Sequence, residues 1–209
     1  YKESKQIKGI FPSMTYGAGF AKKNDWVIFL GSDDWFYSNN SLFSIAKTIE
    51  ENTEKIDQKL IICGTQFIHK NNIDVIRKNN VPKYRLISNK KLADLIFFGY
   101  VPAHQSLCFS HDLVEKLMPY SNKYHLAADA DLIFKMLSLK EFKIVFINKI
   151  LINIQAGGLS SKYLNKRLKE VLQIYINHFR FNFFIPFILR YLKKIFSRLK
   201  LINRLKNLI

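Results

Sequence analysis

The sequence predicts an α/β protein, a mixed sheet flanked by helices, followed by a helical extension of different character. Three observations carry this. Short apolar runs such as Trp26–Leu30 and Leu60–Gly64, bounded by polar residues, have the length and composition of buried strands. Between such runs stand segments with apolar residues at helical spacing, Leu42, Ile45, Ala46 and Ile49 in one and Leu92, Leu95, Ile96 and Phe97 in another. Beyond Gly157-Gly158 the pattern changes to aromatics, then to bases interleaved with aliphatics. The expected division is 1–158 for the α/β part and 159–209 for the extension.

Composition sets the outer bounds. A chain of 209 residues with 48% hydrophobic content can bury a sizeable core and is not disordered. Its net charge of +17 calls for an anionic partner, whether nucleic acid, lipid headgroups or a phosphorylated substrate, and charge alone does not choose among them. Cys63 and Cys108 sit far apart in apolar runs without metal-ligand spacing, so they read as reduced core residues of a cytosolic protein. The chain opens on Tyr1 and not on methionine, the expectation for a piece of a longer protein.

In chain order, residues 1–8 are polar and irregular. Ile10, Phe11, Met14, Gly17 and Ala18 mark a short helix within 9–21, with Pro12 tolerated in its first turn. A turn at Lys22–Asp25 leads into Trp26–Leu30, whose near-continuous apolar sequence predicts an interior strand. Ser38–Ser41 supplies the cap of the Leu42–Ile49 helix. Leu60–Gly64 is a strand, with 65–69 and 73–77 as its partners around a turn at Lys70–Asn72. Lys90–Phe98 is a helix stopped by Gly99, and Tyr100–Phe109 is a loop running into a strand. Ser110 then caps a short helix containing Val114 and Leu117. Asp129 opens a helix with Leu132, Ile133, Met136 and Leu137 on its apolar face, Phe142–Ile147 is a strand, and Ile150–Ile154 continues it or turns back.

The chemistry concentrates at a few polar positions. After Trp26–Leu30 comes Gly31-Ser32-Asp33-Asp34-Trp35-Phe36, which delivers two adjacent carboxylates to the C-terminal edge of a strand, where open α/β sheets place ligands. Adjacent aspartates repel, and a divalent cation shared with substrate phosphates relieves the repulsion; the same residues also suit a solvated turn. Asp129 and Asp131 at a helix start suit general-base work at a cleft edge, with a plain helix-opening role as the alternative. His104 offers a donor and an acceptor to a phosphate or sugar hydroxyl, or serves structurally before a strand. Gly17-Ala18-Gly19 lacks the lysine of a phosphate-binding loop, and no nucleophilic triad is present.

Lys8-Gly9-Ile10-Phe11-Pro12-Ser13-Met14, then Trp26–Trp35, then Ala128-Asp129-Ala130-Asp131-Leu132, together resemble the family 2 glycosyltransferases with the GT-A fold, in the branch that builds bacterial surface polysaccharides. The resemblance spans about residues 8–155 and implies a partial GT-A-like domain that lacks its N-terminal nucleotide-binding part. It departs from the branch at Pro12, where aspartate is common, and at Thr15, where asparagine is. It implies inverting transfer of a sugar from a nucleotide-sugar donor to a hydroxyl of a glycan or lipid-linked acceptor. By the same resemblance Asp34 holds the metal, Asp33, His104 and Gln105 bind the donor, Asp129 is the catalytic base and Asp131 supports that helix start. Phosphate and an all-oxygen donor set suit Mg2+ or Mn2+ better than zinc.

From Tyr163 the chain reads as helical. The aromatic run Phe179–Leu189 is broken by Pro186 and is too short to span a bilayer. Arg190, Lys193, Lys194, Arg198, Lys200, Arg204 and Lys206 follow among Leu192, Ile195, Phe196, Leu199, Ile202 and Leu205. This basic amphipathic pattern suits peripheral attachment to an anionic membrane, on the cytoplasmic face of the cell membrane if the family resemblance holds; packing on the domain or on another subunit is the alternative. Because the bases concentrate in this tail, nucleic acid is not the expected partner. An inactive truncated remnant and a basic membrane- or nucleic-acid-binding module are the competing functions.

Overall fold

The computed structural model describes residues 8–52, 58–69, 74–158 and 162–206. The irregular N-terminal stretch, apart from Lys8, and the turn at Lys70–Asn72 lie outside them. Helix α1 (Ile10–Ala18) leads to β1 (Trp26–Ile28), β2 (Trp35–Phe36), α2 (Ser41–Glu50), β3 (Gln58–Ile68), β4 (Val75–Asn79) and β5 (Leu86–Ser88). Then come α3 (Asn89–Phe97), a 3-10 turn at His104–Ser106, β6 (Leu107–Ser110), α4 (His111–Leu117), α5 (Ala128–Leu137) and β7 (Lys143–Gln155). The chain closes with α6 (Leu164–Phe179), a second 3-10 turn and α7 (Phe184–Lys206).

The strands form one mixed sheet in the order β1-β6-β3-β7-β2, with β4 paired to β3 and β5 to β7. β3 and β7 run parallel and the other pairings are antiparallel. This is the helix-flanked mixed sheet that the alternation of periods predicts, and a C-terminal helix follows it.

The apolar residues sort onto two faces. Phe29, Leu60, Ile62, Leu107, Phe109, Ile144 and Phe146 join the buried residues of α3, α4, α5 and α6 in the larger core. Ile61, Cys63, Cys108, Val145 and Ile147 form the smaller one with Ile45 of α2. Both cysteines are free, and burial pushes their thiols up to about 12, so they remain protonated packing groups. Val171, Ile174 and Tyr175 place α6 within the larger core, whereas α7 lies on the surface against β4, α3 and α6.

Four expectations are corrected. Trp26–Ile28 is an edge strand among the described residues, pairing with β6 alone; its faces are covered by the two cores, and apolar sequence reports covered faces without reporting a second neighbour. The runs 60–64 and 65–69 are not partners but one continuous strand. Gly64 marks a close approach inside it, where a β-carbon would meet the Lys149 carbonyl oxygen at 2.8 Å. The aromatic run of the tail breaks at Arg180, which has a φ of +49°, and not at Pro186, which sits in the first turn of α7 where its missing N–H is harmless. Ser110 does precede α4, but its side chain makes no capping bond.

Candidate functional site

The loop after β1 folds back on itself. The Asp34 N–H donates to the Gly31 carbonyl at 3.1 Å, and the Gly31 N–H donates to Asp34 Oδ2 at 3.0 Å. Both carboxylates lean over this glycine: a β-carbon there would meet Asp34 Oδ2 at 2.8 Å and Asp33 Oδ1 at 3.1 Å. A side chain at position 31 would therefore have to push these carboxylates aside.

Two distant segments then fix Asp34. Gln105 Nε2 donates to Oδ2 at 3.0 Å and the Gln155 N–H donates to Oδ1 at 3.2 Å. An ionised carboxylate offers about four lone-pair directions, so these three bonds leave one open, on Oδ1. Asp33 is exposed with no hydrogen bond to its carboxylate among the described residues. One held and one free carboxylate, both oxygen donors, fit a hard divalent cation shared with a phosphate-bearing ligand.

Gln105 continues into a buried aromatic block. His104 next to it is almost wholly buried, stacked on Phe29 at 5.4 Å, and shares a 2.6 Å hydrogen bond between Nε2 and the Tyr120 hydroxyl. Burial lowers the His104 pKa, opposed by the nearby charge of Asp129, so the ring stays neutral as a rigid backing for Gln105. Tyr120 is pushed far up, first by burial and then by the same Asp129 charge. The Tyr120 N–H also reaches Thr15 Oγ1 at 3.3 Å, which docks α1 beside the block.

Asp129 occupies the first turn of α5, where the helix N-terminus favours a carboxylate. Its position is set from α6. Glu170 accepts hydrogen bonds from the backbone N–H groups of His125, Leu126 and Ala127 at 3.2, 2.8 and 2.9 Å. Arg167 Nε donates to the Leu126 carbonyl at 3.3 Å while its Nη2 lies 3.7 Å from Asp129 Oδ2. Asp129 is 26% exposed, and its Oδ1 is buried without a hydrogen-bond partner among the described residues. One oxygen thus faces a cation and the other is enclosed without a hydrogen-bond partner among the described residues. Asp131 shares the first turn, and burial raises its pKa against the pull of Lys135 and Lys123.

The fold accordingly ties Asp34 to Gln105, sets His104 behind it, and brings the Asp129 charge to bear on His104 and Tyr120. Arg167, Glu170, Tyr120 and Gln155 were not legible as site residues: Arg167 and Glu170 reach back from another helix, Gln155 acts through its backbone N–H, and Tyr120 acts through a hydroxyl whose partner His104 no sequence spacing marks. A different cluster, His111, Asp112 and Glu115 on α4, brings one imidazole and two carboxylates together near the surface. Lys59 already pairs with its Asp112 at 2.6 Å, and none of the predicted residues belongs to it.

No family model matches the chain, and no curated protein matches its sequence. Solved structures that do match include S. aureus TarS 1-349 in complex with UDP, at 14% identity and a TM-score of 0.49 over 78% of this chain and 44% of that one. A structure of S. aureus TarS matches at 15% identity and 0.49 over 80% of this chain and 27% of that one. The chain thus spans less than half the length of either structure, and the likeness is partial.

Proposed function

We propose that the chain is a GT-A-type glycosyltransferase domain that moves a sugar, with inversion, from a nucleotide-sugar donor to a hydroxyl of a glycan or lipid-linked acceptor in surface-polysaccharide synthesis. The observation that carries the reading is the linkage of Asp34 through Gln105 to the His104–Tyr120 block on which the Asp129 charge acts. It supports a carboxylate pair and a free carboxylate base working on one substrate, which is what the motif resemblance requires.

In this reading the solvent-exposed part of the Asp129 carboxylate accepts the proton of the acceptor hydroxyl as that hydroxyl's oxygen bonds to the anomeric carbon. The bond from that carbon to the donor phosphate breaks, and its electron pair leaves with the nucleoside diphosphate. Arg167 and Glu170 hold the base in place, because misplacement of a reacting group by an ångström is costly in rate. Asp34, with Asp33 beside it, would hold Mg2+ or Mn2+, which would supply positive charge to offset that of the leaving diphosphate. Gln105 orients Asp34.

The outward face of α7 supports membrane association. Ile188, Leu192, Ile195 and Leu199 form an exposed stripe along one side of the helix, extended by Phe181 and Phe184. No described helix is long and apolar enough to cross a membrane, so the stripe fits the interface of a bilayer.

The test is release of nucleoside diphosphate from a panel of nucleotide sugars by the full chain with Mn2+ and membrane-extracted acceptors. Asp129→Asn should lower turnover about 1,000-fold and leave donor binding in place, while Asp34→Asn should weaken metal-dependent donor binding. Unchanged turnover in both variants would remove the assignment.

A further inference from the structure

The charged face of α7 points inward. Arg190, Lys194 and Ser197 recur on the side of the helix that meets β4 and α3, opposite the exposed Ile188, Leu192 and Ile195 stripe. Between them and the protein lies a cavity of about 810 Å3, lined by Arg77 and Lys78 of β4, by Arg190, Lys193 and Lys194 of α7, and by the Gly99–Val101 loop. Among the described residues no aspartate or glutamate lines it. Gly99 lets the helix seat there, because a β-carbon at its φ of +83° would fall 2.6 Å from the Leu189 backbone carbon.

Such an arrangement is costly without a counter-charge. Arg190 is only 5% exposed, and its Nε has no hydrogen-bond partner among the described residues; its one bond is from Nη1 to the Tyr175 hydroxyl at 3.4 Å. Arg77 stacks 3.9 Å above the Phe67 ring and Lys194 sits 5.0 Å from the Tyr191 ring, and no carboxylate pairs with either among the described residues. Burial, with Arg198, Arg190 and Arg167 adding repulsion, lowers Arg77 to about 10. Burial, with Arg190, Arg167 and Arg77, lowers Lys194 to about 6 against the opposing pull of Asp129. A buried guanidinium with an unused donor, in a ring of like charges around an open volume, is what an anion with several acceptor oxygens satisfies.

We infer that this cavity is a binding site for a phosphate or diphosphate group. Assigning that group to the acceptor rests on the transfer reading proposed above; the binding itself does not. The outward stripe of α7 would set the cavity at headgroup level, so the phosphate can come from a lipid or from a soluble molecule. The experiment separates these sources.

The probe is inorganic pyrophosphate, titrated calorimetrically into the intact chain at low salt with EDTA present, which removes metal-bridged binding at Asp34. Binding at or below about 1 mM is expected, weakened by salt as charges are screened. Lys194→Gln should weaken it about tenfold near pH 6, and Lys193→Gln, at an exposed position, about threefold; Lys140→Gln, away from the cavity, should leave it unchanged. Binding should take up a proton as the anion draws Lys194 back to its charged form. Pyrophosphate also loses a proton in this range, so the readout is the difference: the advantage of wild type over Lys194→Gln should narrow as pH rises above about 6. The groups facing Lys194 are Arg77 on β4, Arg190 on its own helix, Arg167 on α6 and Asp129 on α5.

Vesicles bearing a diphosphate lipid that compete with pyrophosphate, where phosphatidylcholine vesicles do not, identify a lipid source; absence of competition with pyrophosphate binding intact identifies a soluble one. Retained binding in Asp129→Asn and Asp34→Asn separates this site from the transfer chemistry. Absence of pyrophosphate binding, or equal binding by folded wild type and the Lys193→Gln and Lys194→Gln variants, overturns the inference.

Discussion

The two charged regions of this molecule are built in opposite ways. At the carboxylate edge the chain supplies partners: three donors hold Asp34, and the Glu170 carboxylate accepts from three backbone N–H groups of the loop before Asp129. Under α7 the chain brings cations together with ring and hydroxyl contacts but no carboxylate among the described residues, leaving Arg190 with an unpaired buried donor. The first region is preorganised by the protein itself. The second gathers cations for which the described residues offer no carboxylate, and on the inference above the difference separates a site that positions from a site that receives.

The largest expected disturbance falls on the receiving site. Gly99→Ala puts a β-carbon against the α7 backbone at a positive φ, and about 3 kcal/mol of stability should be lost, read by urea unfolding. Proteolysis should then release α7 while Asp34 and Asp129 keep their surroundings. A variant as stable as wild type, with α7 still protected, would show that the helix is not seated on Gly99.

Glu170→Ala makes the converse break. Three backbone donors before α5 lose their acceptor, about 2 kcal/mol should go, and transfer should fall with it, while pyrophosphate binding under α7 stays as it was. Hydrogen exchange at Leu126 and Ala127 reads the loosening directly. Unchanged protection there would mean that Glu170 does not hold the start of α5.

The smallest effect on stability is expected at the outward stripe. Replacing Ile188, Leu192, Ile195 and Leu199 by glutamine should change stability by within about 0.5 kcal/mol per exposed position, yet abolish flotation with anionic vesicles. Point substitution is the right tool, because removing everything after Lys162 would also take Val171, Ile174 and Tyr175 out of the core. Undiminished flotation would place membrane attachment elsewhere.

Much of this was legible in the local pattern. The stop at Gly99, the helix opened near Asp129 and the strand before Asp33 follow from short-range rules of spacing, capping and turn residues, and all three stand close to where the sequence put them. The neighbours were not legible. Gln105 and Asp34 are 71 residues apart and Glu170 reaches 43 residues back to Ala127, and nothing in either local sequence names the other.

By itself the sequence determined the period of each element, and hence the mixed helix-flanked sheet, the carboxylate pair at a strand's end and the two-faced character of the last helix. Only the tertiary structure decided which face of that helix turned inward. Periodicity fixes that bases and aliphatics lie on opposite sides of α7, but it is blind to what each side meets. That was settled by Gly99 admitting the helix backbone and by the bonds of Arg190 to the Tyr175 hydroxyl and of Ser197 to the Lys78 carbonyl, against the repulsion of the cations on β4. A one-dimensional pattern records the angle between side chains on one element; burial and charge depend on the distance to others, which exists only once the chain has folded.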